Sequence, residues 1–166
     1  NIDSKEHINP DHCHPRTILD CYNHTMLKIY TDGSCIGNPG PGGWAWAVPN
    51  GRSNGGFDPN STNQRMELTA SYMAVKENFE EEKILIISDS NYVVKCFNDN
   101  WWRGWIKRNW KNAAGKAVAN QDLWQPFIEL YQDHGNIEFQ WVKGHSGDEM
   151  NDLVDELARQ QVYQNT

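Results

Sequence analysis

Lys83-Ile84-Leu85-Ile86-Ile87-Ser88-Asp89 is the stretch from which the fold can be read. Ile84, Leu85, Ile86 and Ile87 are apolar without interruption, so neither face of the segment suits water. A strand of that kind belongs inside a sheet covered on both sides. Asp89 follows where the strand ends, and open α/β sheets build their sites at the carboxyl ends of such strands.

The neighbouring segments supply the rest of the sheet. Residues 27–31 alternate, with Leu27, Ile29 and Thr31 on one side and Lys28, Tyr30 and Asp32 on the other. Gly37-Asn38-Pro39-Gly40-Pro41-Gly42-Gly43 is turn chemistry. Alternation resumes over 44–48, so a hairpin with a wide loop is expected, and 51–57 fits a third short strand. Ser61-Thr62-Asn63-Gln64 has the Ser-x-x-Gln form of a capping box and predicts a helix to about Phe79. Beyond the buried strand, short helices are expected at 91–98 and 102–110 and a longer one at 122–133. A strand at 137–142 and a helix from 149 to about 161 complete the pattern. Three strands, a helix, a strand, two or three helices, a strand and a helix predict the α/β class, with a five-stranded mixed sheet packed by helices.

Composition narrows the function classes. The 166 residues suit one domain with a real core. At 38% hydrophobic and 22% charged, the chain is too apolar for a disordered one. The longest apolar runs, Trp44 to Val48 and Ile84 to Ile87, are far below the roughly 20 residues of a membrane span, so no membrane partner is expected. No basic, apolar, then small-residue pattern opens the sequence, and four cysteines make no dense disulfide framework, so a cytoplasmic location is expected. With 15 Lys+Arg against 22 Asp+Glu the net charge is −7, which argues against an unselective coat on nucleic acid.

Residues 101–120 break that trend. They carry Arg103, Lys107, Arg108, Lys111 and Lys116 without an acid, and four of the eight tryptophans. Two readings fit. The element binds a nucleic-acid backbone by charge and ring packing, or it is an amphipathic helix with core tryptophans and a solvated basic face.

Four acids resist a bland reading. Asp32 ends the first strand and Asp89 the buried one. Glu67 shares a helical stripe with Ala70, Ser71 and Ala74, and Asp155 lies beside Val154, Leu157 and Ala158. A carboxylate on a packed face needs a partner, and no lysine or arginine falls at helical spacing on the Glu67 stripe. A divalent cation is the other solution, and oxygen donors without paired His or Cys point to Mg²⁺ or Mn²⁺. Each acid alone also reads as a cap or a surface residue, and spacing does not bring the four together.

Larger blocks carry a resemblance. They are Tyr30-Thr31-Asp32-Gly33-Ser34-Cys35 with the glycine-rich run, Thr62-Asn63-Gln64-Arg65-Met66-Glu67-Leu68, and Ser88-Asp89-Ser90-Asn91-Tyr92-Val93. Asp122-Leu123-Trp124, Trp141-Val142-Lys143-Gly144-His145-Ser146-Gly147 and Asp155-Glu156-Leu157-Ala158 follow. In this order, over about residues 27–160, the sequence resembles type 1 ribonuclease H. The resemblance implies the ribonuclease H-like fold and an endonuclease that cuts the RNA strand of an RNA–DNA hybrid, leaving 5′-phosphate products. It places Asp32, Glu67, Asp89 and Asp155 at the family's metal-binding carboxylates and His145 at its loop histidine, all five as catalytic residues. It implies two Mg²⁺ ions, with Mn²⁺ as a substitute. Asp32 would bridge them, with Glu67 and Asp89 on one ion and Asp155 on the other. His145, between Gly144 and Gly147, would assist water activation or product release; read without the family, it is an ordinary loop histidine.

The same resemblance bears on substrate. Telling RNA from DNA requires contact with the 2′-OH, and Asn38, Asn63 and Gln64 would read it across a minor groove, with Glu67 near. Asn91 stands where the family often has Gln, and the shorter amide would shift that contact. Capping is the competing reading for these amides. The 101–120 window matches the family's basic handle on the DNA strand, with Trp105, Lys107, Arg108, Trp110, Lys111 and Lys116 as contacts. Ile106, Gly115 and Ala119 make it less charged than lysine-rich handles, so weaker and more salt-sensitive binding is expected. The glycine-rich run lacks the Gly-Lys-Ser/Thr ending of a nucleotide-triphosphate loop.

Met26 opens the strand pattern and fits a native start. That divides the chain into an extension, 1–25, and a catalytic domain, 26–166. The extension holds Cys13, Cys21 and His24, with His12 and His14, and Cys21-x-x-His24 is a feasible zinc pair, although the spacing matches no standard finger. An irregular packed segment is the other reading. Two further functions compete with the nuclease. A recombinase or a domain of a reverse transcriptase is disfavoured by the Asn63-Gln64-Arg65 block, the handle and the His145 loop. A non-catalytic hybrid-binding module is disfavoured because four acids facing phosphates repel them unless metal is present. A monomer is expected.

Overall fold

The structure, a computed structural model, describes residues 26–166; Cys13, Cys21 and His24 lie outside them. The elements are β1 (Met26–Cys35), β2 (Gly40–Ala47), β3 (Ser53–Ser61), α1 (Asn63–Glu77), β4 (Lys83–Ser88), α2 (Asn91–Asn98), α3 (Trp101–Lys107), α4 (Gln121–His134), β5 (Ile137–Trp141) and α5 (Glu149–Asn165). The five strands form one sheet in the order β3-β2-β1-β4-β5. β1 pairs antiparallel with β2 and β2 with β3, whereas β4 runs parallel to both β1 and β5. The expected α/β class and mixed sheet are what the chain adopts.

Burial explains the order. β4 lies inside the sheet and Ile84 to Ser88 are all buried, as its unbroken apolar run requires. β5 is an edge strand with one covered face: Ile137 and Phe139 are buried, Glu138 and Gln140 exposed. Phe97 of α2 stacks on Phe139 with ring centroids 4.1 Å apart, and Phe127 and Trp124 of α4 extend that aromatic core.

Two consecutive glycines fix the layers. A side chain on Gly42 would strike Met66 of α1, and one on Gly43 would strike the Ala158 carbonyl of α5. Neighbouring strand residues face opposite sides, so α1 and α5 clasp the sheet from its two faces. This corrects one expectation. The run 37–43 is not turn throughout; it is strand from Gly40, and Ile36 N–H donates to the Pro41 carbonyl at 2.8 Å to close a tight hairpin. Gly42 and Gly43 serve close helix approach rather than turning, and Gly37, with φ of 77°, makes the turn.

Two helix ends also differ from expectation. The cap of α1 is Thr62, whose hydroxyl accepts from Arg65 N–H at 3.2 Å. Ser61 belongs to β3 and is buried, so no Ser-x-x-Gln box forms. α3 stops at Lys107 because Asn109 and Trp110 take left-handed φ of 53° and 62°.

Candidate active site

Asp32 and Gly33 sit late in β1, where the strand meets both helical layers. The Thr31 hydroxyl lies 3.2 Å from that of Ser71 on α1, so Thr31 and Gly33 face α1 and Asp32 faces the side of α5. At Gly33 the α1 backbone comes so close that a Cβ would fall 2.3 Å from the Glu67 nitrogen. That contact brings Glu67 over the strand. Asp89 arrives from the end of β4, which is parallel to β1 and in register with it through Thr31 and Ser88. One carboxylate oxygen each from Asp32, Glu67 and Asp89 lie within 4.8 Å of one another. Among the described residues no lysine or arginine forms an ion pair with any of the three.

Concentrated charge shows in the protonation of these groups. Burial first, then the charge of Asp89, pushes Asp32 up to about 9, although Gly33 N–H donates to its Oδ1 at 2.9 Å. Asp155 and Glu67 add to the same rise. Burial also raises Glu67 and Asp89; Ser90 and Asn63 partly offset it at Glu67, and His145 and Asn151 at Asp89. Three hard-oxygen donors whose affinity for protons is raised by burial and by one another's charge suit a divalent cation, which would relieve that charge.

Asp155 stands apart from the triad. Its Oδ2 lies 3.1 Å from Nη2 of Arg159, one turn along α5. It is near enough for its charge to raise both Asp32 and Asp89. His145 is exposed, with φ of 55°, in the loop before α5.

Two of the amides, Asn38 and Asn63, form a chain to Glu67. Asn63 N–H donates to Asn38 Oδ1 at 3.2 Å, and Asn63 Nδ2 donates to Glu67 Oε1 at 3.2 Å. Asn38, Asn63, Gln64 and Asn91 are all exposed. Asn63 thus orients Glu67 while leaving its own carbonyl oxygen open.

The basic window divides between the two readings offered above. Three of its four tryptophans serve the core: Trp102 is buried, and Trp105 packs on Trp124 at 5.3 Å and on Trp110 at 6.2 Å, whereas Trp101 is exposed. Lys107, Arg108, Lys111 and Lys116 are exposed. The loop they occupy is tied down internally, with Asn112 Oδ1 accepting from the Ala114 and Lys116 N–H groups at 3.0 Å each. The result is a cationic helix end and loop backed by half-buried tryptophans.

Four sets of contacts are not evident from the sequence. Asn151 is buried and hydrogen-bonded to Asp89; it sits one turn before Asp155, and that spacing was its only signal. Ser90 both caps α2 and hydrogen-bonds to Glu67. Arg65 forms a two-pronged ion pair with Asp122, joining the start of α1 to the start of α4. Trp124 Nε1 and Asn120 Nδ2 both donate to the Tyr92 hydroxyl, at 2.8 and 3.2 Å, so the handle's packing reaches the α2 turn beside Asp89.

Comparison with known proteins bears on this geometry. The RNase H family model matches residues 24–163. A ribonuclease H of Xanthomonas campestris pv. campestris is 47% identical over 139 residues, covering 82% of this chain and 91% of that protein. One of Chlorobium luteolum is 45% identical over 139 residues, with coverage of 82% and 94%. Among solved structures, LC9-RNase H1, a type 1 RNase H with the type 2 active-site motif, superposes with a TM-score of 0.71 at 29% identity, over 86% of this chain and 74% of its own. A foamy viral protease-reverse transcriptase in complex with dsDNA shares the fold, with a TM-score of 0.74 at 22% identity over 83% of this chain and 94% of its own.

Proposed function

The chain belongs to the ribonuclease H family, and from that premise we propose that Asp32, Glu67, Asp89 and Asp155 hold two Mg²⁺ ions, with Mn²⁺ as a substitute. Its activity is that of the family, hydrolysis of the RNA strand of an RNA–DNA hybrid. The observation that carries the metal reading is the triad: three acids share one small space without a cationic side chain. Bound divalent cations supply an activated water and relieve charge on the phosphate and the leaving oxygen.

The chain's own groups do the rest. Asp32 is held by Gly33 N–H, and Glu67 by Asn63. Asn38, Asn63, Gln64 and Asn91 present amides to the 2′-OH groups of the RNA strand, which both donate and accept. His145, on its exposed loop, moves a proton at the edge of the site. The products carry 5′-phosphates. Residues 26–166 make the catalytic domain, and one chain supplies every site residue, which fits a monomer. No helix among the described residues is long and apolar enough to cross a membrane; we place the protein in the cytoplasm.

Lys107, Arg108, Lys111 and Lys116 grip the DNA strand by charge, while Trp105 and Trp110 hold the loop in place and offer their open edges. Each phosphate contact that is lost lowers the dependence of log affinity on log salt by about 0.9. Replacing Lys107, Lys111 and Lys116 together by glutamine should therefore flatten that slope by about 3, raise KM and leave kcat at saturation unchanged. A slope that does not move would remove the loop from the interface.

The direct test uses labelled RNA–DNA hybrid, double-stranded RNA and double-stranded DNA, each with Mg²⁺ and with EDTA. Cutting confined to the hybrid's RNA strand and abolished by EDTA is expected. Binding without cutting under both Mg²⁺ and Mn²⁺ would refute the catalytic reading.

A further inference from the structure

Trp141 ends β5 and is 45% exposed. It stands opposite Ser88 in the sheet, and the next residue, Val142, donates its N–H to the Ser88 carbonyl at 3.0 Å. The Trp141 indole Nε1–H donates to the main-chain carbonyl of Asp89 at 3.0 Å. The edge strand thus steadies the backbone of a carboxylate 52 residues away in sequence. Three residues further on, Gly144 presses on the Asp89 side chain, where a Cβ would fall 2.8 Å from Oδ2. His145 follows at once. The polar edge of the indole is used by Asp89, and its apolar body meets solvent at the rim of the site.

We propose that Trp141 has two separable roles: it is a positioning residue for Asp89 through its N–H, and its exposed ring packs on the sugar of a substrate nucleotide bordering the cut. The inference rests on the ribonuclease reading above. A purely structural ring would be buried in the aromatic core with Phe97, Trp124 and Phe139; Trp141 is not part of that cluster. Its hydrogen bond also ends on the main chain of a site residue rather than on a helix or loop elsewhere.

Two variants separate the roles. Trp141→Phe keeps a ring and loses the donor; Trp141→Leu loses both. Hybrid affinity is measured by anisotropy of a labelled hybrid in an Asp32→Asn background, and kcat and KM in the otherwise wild-type protein. Trp141→Phe should bind within about twofold of the parent yet lose about three- to tenfold in kcat, the scale of one hydrogen bond. Trp141→Leu should in addition weaken binding and raise KM at least about fivefold, the low end for loss of an aromatic contact. Tyr163→Ala, at an aromatic 65% exposed on α5, should change neither constant. Equal losses in the two Trp141 variants, or none in either while the wild type cuts hybrid, would overturn the proposal. If Trp141→Leu fails to fold, an unchanged kcat in Trp141→Phe overturns it and a reduced kcat with retained affinity supports it. A wild type that cuts no hybrid would instead bring down the ribonuclease reading.

Discussion

Asp32→Asn is expected to lower hybrid cleavage by on the order of a thousandfold or more, and at the same time to stabilise the protein in EDTA. Asp32 is only 6% exposed and lies among Glu67, Asp89 and Asp155. Asparagine keeps the shape and can still accept from Gly33 N–H, but it removes the carboxylate that metal binding requires and that the metal-free fold must keep protonated.

The sign of the stability effect follows from protonation. In the folded state Asp32 holds its proton up to about pH 9, whereas in the unfolded chain an aspartate loses it near pH 3.9. Between those values the folded state binds more protons than the unfolded one. Stability therefore falls as pH rises through this window, by about 1.4 kcal/mol per pH unit for one full proton. The raised Glu67 and Asp89 add to the fall. The Arg65–Asp122 pair has the opposite sign, because Asp122 is lowered; its contribution is lost only in acid, below the unfolded value. Wild-type protein in EDTA should thus show a Tm that declines from pH 5 to pH 9. Mg²⁺, binding the deprotonated cluster, should restore more stability at higher pH. Asp32→Asn should flatten the decline and blunt the Mg²⁺ response. A wild-type Tm that stays level across that range in EDTA would contradict this account.

Gly33→Ala is expected to damage both the fold and the site. The new methyl would sit 2.3 Å from the Glu67 nitrogen and 2.4 Å from the Met66 carbonyl carbon. Both are helix backbone, so no side-chain rotation can make room, and α1 must retreat from β1. Overpacking of that kind costs about 3 kcal/mol, or roughly 6–12 °C in Tm for a domain of this size. Because the retreating segment carries Glu67, activity should fall by about a hundredfold even at temperatures where the variant is folded, the scale of a 1 Å misplacement. Gly51→Ala offers the contrast. Gly51 has φ of 97° with nothing near its Cβ, so alanine there should cost about 1 kcal/mol of stability and leave kcat unchanged. Full activity in folded Gly33→Ala would show that the Gly33 contact does not set the position of Glu67.

Local pattern made much of this protein legible. The unbroken run from Ile84 to Ile87 reports a strand buried on both faces because burial on both sides is a property of each residue in turn. Alternation in β1 and β5 and the stripe of α1 are equally local, and Asp32, Glu67 and Asp89 could be singled out from them. Close packing across long sequence separations was not legible. A glycine at 42 or 43 reads as a turn until helices α1 and α5 are seen pressing on it. Ser61 and Thr62 compete for one cap, and the length of β3 decides between them. Trp105 and Trp110 read equally as nucleic-acid contacts or as core, and only the position of Trp124 on α4 shows where their faces pack. Asp155 pairs with Arg159 while its charge still reaches Asp32 and Asp89, Asn151 meets Asp89, and Trp141 reaches the Asp89 carbonyl. Sequence by itself determined which segments are strand and helix and which acids are out of place, because periodicity and burial act residue by residue. The tertiary structure alone decided which atoms face one another, because register and helix approach are set by contacts among residues that the chain holds far apart.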